Sequence, residues 1–401
     1  MDVNGDGFQD LLVAAKAGGD EGQYPNATYV FFGPMALDSE QQYFSAATAD
    51  VIFYNEESST ATWVAASAGD LNGDGYEDLY VKGIYSTKSD DSQYATFLFY
   101  GPNGDSDIQT QIEFKEADVI LHDHGNTVRL GDINLDGFDD LAIGGGATVE
   151  ILFGPIEGQS PPASIFATAD IFIRGSYEED YCGQPSSSDV TGDGLVDLVV
   201  SCTQDDYVFF APIEKPDSQA DLFVKDADSH LVARIDDDLC FSEAIPDVNG
   251  DGIGDILCSQ FSDAKAVRGL FGPLPSTQGS EPYVVDNYDF YLSEDSDDYC
   301  CKWVAYVGDV NGDRVGDLFV RSSSPDVDYY LWGPLPESNF DTPADLSEIS
   351  SIFTGGSPSH SPIGDLNHDG IDDLVLSYSC EGNQCGGAFI YRGRIDWPIG
   401  F

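Results

Sequence analysis

The sequence predicts an all-β protein, a seven-bladed β-propeller of four-stranded antiparallel blades, from three observations. An acidic nonapeptide occurs seven times, an aromatic-Gly-Pro motif or a near variant of it also occurs seven times, and no helical period of 3.6 residues is sustained. Successive nonapeptides lie 68, 62, 57, 58, 62 and 56 residues apart, which leaves room for four short strands in each interval. Four strands per repeat of about 60 residues are typical of a propeller blade. We therefore predict a single domain over residues 1–401.

The composition indicates a folded and very acidic chain. Its 401 residues include 16 Lys and Arg against 72 Asp and Glu, which gives a net charge of -56, and 41% are hydrophobic. That hydrophobic fraction is sufficient for a large core and argues against disorder. The negative charge excludes nucleic acid as a natural partner, because a phosphate backbone is bound by basic surfaces. No run approaches the about 18 apolar residues of a membrane span, so membrane insertion is not predicted.

Each acidic nonapeptide precedes a short apolar run, such as residues 11–15 or 198–200, that has the length of a strand. Apolar residues at consecutive positions indicate a strand covered on both faces. The aromatic-Gly-Pro motif follows about twenty residues later, and two further strands are predicted per interval, for example at 49–54 and 62–68. We number the acidic loops by their residues: loop 1 (2–10), loop 2 (70–78), loop 3 (132–140), loop 4 (189–197), loop 5 (247–255), loop 6 (309–317) and loop 7 (365–373).

The spacing Asp-x-Asn-x-Asp-Gly-x-x-Asp is typical of a calcium-binding loop. Side-chain oxygens at positions 1, 3, 5 and 9 and the carbonyl at position 7 converge on one point, and Gly at position 6 permits the left-handed turn. Hard oxygen donors favour Ca²⁺ over zinc or copper. Ca²⁺ is also favoured over Mg²⁺, because Mg²⁺ prefers a small octahedral shell and keeps its water. An EF-hand is excluded, because position 12 is apolar, as at Val13 and Val81, instead of Glu. The alternative is that the loops are merely hydrophilic turns.

Up to seven Ca²⁺ ions are therefore predicted, one in each loop. The predicted ligands are, in order of the loops, Asp2, Asn4, Asp6, Phe8 and Asp10; Asp70, Asn72, Asp74, Tyr76 and Asp78; Asp132, Asn134, Asp136, Phe138 and Asp140; Asp189, Thr191, Asp193, Leu195 and Asp197; Asp247, Asn249, Asp251, Ile253 and Asp255; Asp309, Asn311, Asp313, Val315 and Asp317; Asp365, Asn367, Asp369, Ile371 and Asp373.

Two loops depart from the pattern. Loop 6 has Arg314 at position 6, where the other six loops have Gly, and loop 4 has Thr191 at position 3, where the others have Asn. A side chain in the left-handed conformation costs about 1 kcal/mol or more, and a guanidinium adds positive charge near a cation. We expect loop 6 to bind Ca²⁺ most weakly, followed by loop 4. The alternative is that Arg314 points to solvent and relieves repulsion among the loop's carboxylates.

Seven acidic loops that alternate with the Phe-Gly-Pro motif resemble the FG-GAP repeats of the integrin α-subunit propeller and its bacterial relatives. The resemblance covers almost the whole chain. It implies a seven-bladed propeller with calcium in the loop that joins strands A and B of each blade. It also implies that a protein or glycan ligand binds the opposite face, which would be formed here by segments 16–26, 82–93, 174–181, 226–239 and 293–301.

Eight cysteines allow four disulfides. Strands A and B pair across each acidic loop, so the spacing predicts disulfides Cys182–Cys202 and Cys240–Cys258 across loops 4 and 5. A third would join Cys380 to Cys385 within a hairpin. Cys300 and Cys301 then remain as a strained vicinal disulfide or as two free thiols. Paired cysteines and calcium sites favour an extracellular, cell-surface or periplasmic location over buried thiols in a cytosolic protein.

The terminal blades are each expected to lack a strand. Residue 2 is already a predicted calcium ligand, and only ten residues follow Tyr391. In the family, N-terminal residues can complete the last blade of the ring. We expect the natural protein to extend upstream by a segment that supplies strand D of blade 7 and strand A of blade 1, preceded by a secretion signal.

Three functions are compatible with these features. The first is a non-catalytic, calcium-stabilised module for binding or adhesion outside the cell. The second is a secreted enzyme, a lyase or hydrolase of polysaccharides, built on a calcium-loaded propeller. The third is a structural module of a larger surface protein. The fold does not decide among them, because function depends on particular sites.

Overall fold

The computed structural model describes residues 1–15, 27–37, 45–54, 64–86, 92–102, 110–122, 125–145, 147–157, 163–164, 169–175, 181–203, 205–215, 221–233, 241–259, 266–277, 283–285, 288–293, 303–321, 328–338, 344–345, 350–353, 359–377 and 388–394. These residues form strands and three short 3-10 turns, Ala46–Thr48, Phe114–Glu116 and Val224–Asp226, and they include no α-helix. The protein is therefore all-β over its described residues, as predicted.

The described strands are short, and most have the length that the apolar runs indicate. In chain order they are β1 (Leu11–Ala15), β2 (Ala27–Phe31), β3 (Val51–Tyr54), β4 (Val64–Gly69), β5 (Asp78–Ser86), β6 (Ser92–Phe99), β7 (Thr110–Glu113), β8 (Val119–His122), β9 (Asn126–Gly131), β10 (Asp140–Gly145), β11 (Thr148–Leu152), β12 (Ala163–Ser164), β13 (Ile171–Arg174), β14 (Gln184–Ser188), β15 (Asp197–Ser201), β16 (Asp206–Phe209), β17 (Asp221–Phe223), β18 (Ser229–Ala233), β19 (Phe241–Ile245), β20 (Asp255–Ser259), β21 (Ala266–Leu270), β22 (Tyr283–Val285), β23 (Phe290–Ser293), β24 (Trp303–Gly308), β25 (Asp317–Arg321), β26 (Asp328–Leu331), β27 (Ala344–Asp345), β28 (Ser350–Phe353), β29 (Ser359–Pro362), β30 (Leu374–Ser377) and β31 (Ala388–Tyr391).

The described strands form seven sheets of three to five strands. In several sheets four consecutive strands run antiparallel, as in β4-β5-β6-β8 and β14-β15-β16-β18. We call these strands A to D: A precedes the acidic loop, B follows it, C ends at the aromatic-Gly-Pro motif, and D comes next. The predicted positions of loops 2 to 7 between strands A and B are confirmed. This arrangement fits the blades of a propeller.

The prediction of purely antiparallel, four-stranded sheets is corrected in one respect. Five sheets carry an additional strand that pairs in parallel with strand D and comes from the connection between strands C and D of the next repeat. The pairs are β3 with β7, β8 with β12, β13 with β17, β18 with β22, and β23 with β27. These added strands have two to four residues and bind through backbone hydrogen bonds, so no apolar run in the sequence indicated them.

The chain divides into two compact units. The first comprises Met1–Ile143, Glu150–Asp170 and Ile363–Arg392. Its core lies between neighbouring sheets, because strand B of each sheet is apolar on both faces. Leu79 and Val81 of β5 pack in one cluster with Phe53, whereas Tyr80 packs on the other face in a cluster with Leu141. The predicted two-sided burial is thus confirmed for β5.

The second unit comprises Gly144–Val149, Ile171–Pro362 and Gly393–Phe401. The same alternation is present in β20. Ile256 and Cys258 pack in one core cluster with Val199, and Leu257 packs in another with Leu318. Strand B is again buried on both sides, so each acidic loop of this unit is attached to a strand fixed from both faces.

Candidate metal sites

The seven acidic loops share one hydrogen-bonded shape that is centred on the Asp at position 1. In loop 2, Asp70 Oδ1 accepts the amides of Gly73 and Asp74 at 2.8 and 3.0 Å, and Oδ2 accepts the amide of Gly75 at 2.9 Å. The bond from the position-6 amide to Oδ2 of position 1 occurs in all seven loops at 2.7–2.9 Å. The turn is therefore wound around a single carboxylate.

Positions 3 and 5 complete the exposed part of each turn. The Asp at position 5 accepts the position-7 amide in all seven loops at 2.8–3.1 Å. In five loops its second oxygen accepts the side-chain amide of the position-3 Asn, as Asp74 does from Asn72 at 3.0 Å. In loop 4, Thr191 directs its hydroxyl to Asp189 at 3.4 Å instead. Three side-chain oxygen donors thus lie together on one exposed turn.

The Asp at position 9 differs from the others because it is buried. Its Oδ2 accepts the position-2 amide in all seven loops at 2.8–3.0 Å. In six of them Oδ1 accepts the amide of the Gly or Ala before the Pro of the aromatic-Gly-Pro motif, at 2.8–3.0 Å. The two repeated motifs of the sequence are therefore joined by this carboxylate. Sequence reasoning treated them as separate features.

Burial governs the ionisation of the position-9 carboxylates. In loops 1 to 6, desolvation raises the pKa of this carboxyl group, and the backbone hydrogen bonds offset the rise only partly. The pKa reaches about 6 for Asp10, Asp78 and Asp197, about 7 for Asp140 and Asp255, and about 8 for Asp317. Nearby loop carboxylates contribute in the same direction. A cation in the loop would favour the charged form of each of these groups.

The donor chemistry of each loop fits a hard cation. A carboxylate oxygen that accepts one amide keeps a further lone pair, so the hydrogen bonds within the turn leave acceptor capacity for a metal. Among the described residues, no three His, Cys, Asp or Glu side chains are arranged to hold a metal by themselves. Each loop also offers the carbonyl at position 7 and a side-chain oxygen at position 3, from Asn in six loops and from Thr191 in loop 4. Carboxylate, amide and carbonyl oxygens are the donor mixture that Ca²⁺ prefers.

Arg314 adopts the left-handed conformation that its position predicts. Its φ is 74°, and its amide donates to Asp309 Oδ2 at 2.7 Å, as the glycine amides do in the other loops. The other position-6 residues, such as Gly75 and Gly252, have φ values of 85–98° and no heavy atom within 4 Å of the place where a Cβ would lie. The backbone of Arg314 is therefore strained by its positive φ, and the equivalent positions leave room for a side chain.

Neighbouring loops are also packed against one another through position 7. The ring of Tyr76 lies against Gly5 of loop 1, where an added Cβ would be 2.3 Å from Cε1, and Phe138 covers Gly73 in the same way. In the second unit, Ile253 covers Gly192. Position 4 therefore requires Gly in these loops for space as well as for its positive φ of 74–76°. Position 7 was predicted only as a carbonyl donor.

The disulfide Cys182–Cys202 is present, as the spacing across loop 4 predicted. Cys258 is also disulfide-bonded. Cys240, Cys300, Cys301, Cys380 and Cys385 lie outside the described residues, so the other predicted pairings stay predictions.

The segments expected to bind a ligand lie largely outside the described residues. Of them, residues 82–86, 92–93, 174–175, 181, 226–233 and 293 are described. Tyr181 is exposed over 61% of its surface, whereas Lys82 is buried and donates to Gly125 O and to Thr127 Oγ1. Lys82 therefore contributes to packing between strands and is not presented to solvent.

Comparison with known proteins confirms the family resemblance. Residues 2–81 match the FG-GAP-like repeat family. The chain is 26% identical to integrin alpha-PS3 of Drosophila melanogaster over 164 residues, which are 39% of this chain and 15% of that protein. Residues 2–81 therefore match an FG-GAP-like repeat, and 39% of the chain is similar in sequence to an integrin α subunit. No helix among the described residues is long and apolar enough to cross a membrane.

Solved structures of similar fold are distant in sequence. A structure of BBS1N in complex with ARL6DN aligns with 100% of this chain and 92% of that chain, at a TM-score of 0.50 and 9% identity. An Agrocybe aegerita lectin that recognises non-reducing terminal N-acetylglucosamine aligns with 97% of this chain and 91% of that chain, at a TM-score of 0.44 and 14% identity. A polycomb repressive complex 2 structure aligns with 84% of this chain and 66% of that chain, at a TM-score of 0.45 and 9% identity. At 9% identity, the similarity to the BBS1N structure concerns the fold alone.

Proposed function

We propose that this chain is a calcium-stabilised, seven-bladed β-propeller that serves outside the cell as a non-catalytic module for binding or adhesion. The observation that carries the proposal is the repetition of one loop shape seven times, with the same carboxylate at its centre and oxygen donors on the exposed turn. The FG-GAP-like repeat and the integrin α-like sequence support it.

Calcium would be held by side chains at positions 1, 3, 5 and 9 and by the position-7 carbonyl of each loop. Bound there, it would supply positive charge to a turn that otherwise brings carboxylates of one sign together. The protein's part is to hold the turn: the position-1 carboxylate fixes three amides, and the position-9 carboxylate fixes the turn to strand B. The metal therefore has a structural role in this proposal, and no reaction is assigned to it.

Calorimetric titration of metal-free protein with Ca²⁺ tests the proposal. The unaltered chain should bind several ions, and the variant Asp70→Ala/Asp74→Ala should bind one fewer, because loop 2 loses two donors. A matched control, Glu157→Ala/Glu214→Ala, removes the same charge from two exposed acids outside the loops and should bind as many ions as the unaltered chain. No calcium uptake, or equal losses in both variants, would contradict the proposal.

The partner proposed for this module is a protein or a glycan, bound on the face away from the acidic loops. The integrin α relative supports an extracellular or cell-surface location. An array of glycans and matrix proteins, probed with the full chain in calcium and in EDTA, tests this part. We expect binding in calcium and its loss in EDTA. Binding that is equal in both solutions would argue that the loops do not organise the binding face.

A further inference from the structure

Arg129 of β9 lies where the first three acidic loops meet. Its guanidinium donates from Nη1 to Glu77 Oε1 at 3.0 Å and from Nη2 to Asp139 Oδ2 at 2.8 Å. Glu77 and Asp139 both occupy position 8, in loops 2 and 3 respectively, and position 8 is not one of the predicted ligand positions. One basic side chain therefore bridges two loops without using a metal donor.

The two bridged acids each reach back to the first residue of the preceding loop. Glu77 Oε2 accepts the amide of Asp2 at 2.7 Å, and Asp139 Oδ2 accepts the amide of Asp70 at 2.9 Å. The amide of Asp139 also donates to Asp70 O at 3.0 Å. In loops 1 and 2, the backbone amide of the position-1 Asp is thus bound by a side chain of the next loop. Arg129 holds both of those side chains.

We propose that Arg129 is a positioning residue for calcium, which couples loops 1, 2 and 3 so that they bind the ion cooperatively. This inference rests on the proposed function. A planar guanidinium can hold two carboxylates at fixed separation, which an ammonium group cannot reproduce. When Arg129 fixes Glu77 and Asp139, these side chains in turn fix the backbone amides of Asp2 and Asp70. An ion bound in one loop then lowers the conformational entropy that the next loop loses on binding its own ion.

Simple electrostatics makes the opposite prediction. A positive charge beside the loops repels Ca²⁺, so its removal should tighten binding if charge alone matters. In the second unit, position 8 of loops 5 and 6 is glycine, which has no side chain to form such a bridge, and its amide joins the preceding loop: Gly254 N donates to Asp189 O at 2.7 Å and Gly316 N donates to Asp247 O at 2.9 Å. A position-8 side chain therefore cannot couple loops 5 and 6 to the loops before them, and we expect cooperativity in loops 1 to 3.

The test compares Arg129→Lys and Arg129→Gln with Arg174→Lys and Arg174→Gln in the full chain. Arg174 is a matched control: its side chain is 39% exposed, against 42% for Arg129, and it pairs with Asp221 at 3.5 Å on an outer strand. Terbium luminescence sensitised by Tyr76 reports loops 1 and 2, because this ring lies between them. The signal of the Tyr76→Phe variant supplies the background, and circular dichroism in saturating calcium verifies folding.

Both Arg129 variants should bind terbium at the Tyr76-reported sites about 5- to 10-fold more weakly, with a titration slope that falls toward one. Neither Arg174 variant should change terbium binding at these sites. Binding that is unchanged or tighter in Arg129→Gln, or fully retained in Arg129→Lys, would overturn the inference while the proposed function stands. Failure of the unaltered chain to bind calcium would overturn the proposed function and this inference with it. If Arg129→Gln fails to fold, Arg129→Lys, which keeps the charge, decides the outcome.

Discussion

Arg314 occupies a backbone conformation for which the other six loops use glycine. A left-handed φ costs a residue with a Cβ about 1–2 kcal/mol, and no such cost falls on Gly252 in the neighbouring loop. Because nothing lies near a Cβ at the equivalent positions, this cost comes from the backbone alone. The backbone strain weakens calcium binding only if the empty turn relaxes, because binding must then restore the strained conformation. We expect the empty turn to relax in this way.

Loop 6 should therefore release calcium first, and Arg314→Gly should tighten it by about 5- to 10-fold, which corresponds to about 1 kcal/mol. The reverse substitution Gly252→Arg should weaken loop 5 by a similar factor. Titration followed by NMR signals of residues 309–317 and 247–255 measures both. The ranking fails if loop 6 keeps its calcium as long as loop 2 does.

Asp206 is a buried carboxyl group at the start of β16, outside the acidic loops. Ser201 Oγ donates to its Oδ1 at 2.6 Å, and Ser242 Oγ donates to its Oδ2 at 2.5 Å. Burial raises the pKa of Asp206 from 3.8 to about 6, although both serines favour the charged form. The protonated acid is thus favoured by folding, and its stabilising contribution is complete below pH 3.8 and lost as the pH rises through 6.

The variant Asp206→Asn should consequently gain stability relative to the unaltered protein as the pH increases from 4.5 to 7.5. The expected change in the difference between the two proteins is on the order of 1–3 kcal/mol. Urea unfolding of both proteins at each pH measures this difference in the free energy of unfolding. The titration of the loop carboxylates contributes equally to both proteins, so it does not affect the difference. A difference that stays constant with pH would show that Asp206 keeps its ordinary ionisation.

At the scale of elements, five of the aromatic-Gly-Pro motifs or their variants are held between two aspartates. The position-9 Asp accepts the Gly amide, and the Asp before strand D accepts the amide of the preceding aromatic residue. In the fifth sheet these are Asp255, which binds Gly272 and Val248, and Asp289, which binds Phe271 at 2.9 Å. Only a backbone amide is needed, so Ala211 replaces Gly without loss of the bond.

Asp255→Asn should destabilise the protein by about 1–3 kcal/mol, because one of two buried amides then faces an NH₂ group instead of an oxygen. Asp289→Asn is the matched control, since its remaining oxygen can still accept the exposed amide of Phe271, and it should cost about 0.5 kcal/mol or less. Chemical unfolding at pH 8 in EDTA measures both, without the contribution that Asp255 would make as a calcium ligand. Equal effects would show that the buried carboxylate does not join the motifs.

Much of this architecture could be predicted from the sequence because it repeats. The apolar runs gave the positions of strands such as β5, β15 and β25, and the spacing of Cys182 and Cys202 gave a disulfide. The parallel strands such as β12 could not be predicted, because a two-residue backbone pairing leaves no pattern in side chains. The role of Arg129 was equally hidden, since it depends on side chains 52 and 10 residues away.

At the scale of the whole molecule, we expect the seven acidic loops to need cations to support the fold. The chain carries a net charge of -56, and each loop adds carboxylates to a tight turn. An ion that binds only the folded state stabilises it by about 2.7 kcal/mol at a concentration one hundred times its Kd, and several loops should add their effects.

The most direct test is the thermal unfolding of the same protein in calcium, in magnesium at equal ionic strength, and in excess EDTA. Magnesium controls for charge screening, because it fits these flexible oxygen shells poorly. We predict a melting temperature in EDTA and in magnesium that lies about 10 °C or more below that in calcium. Superimposable unfolding curves in calcium and EDTA would contradict the claim that calcium stabilises this fold.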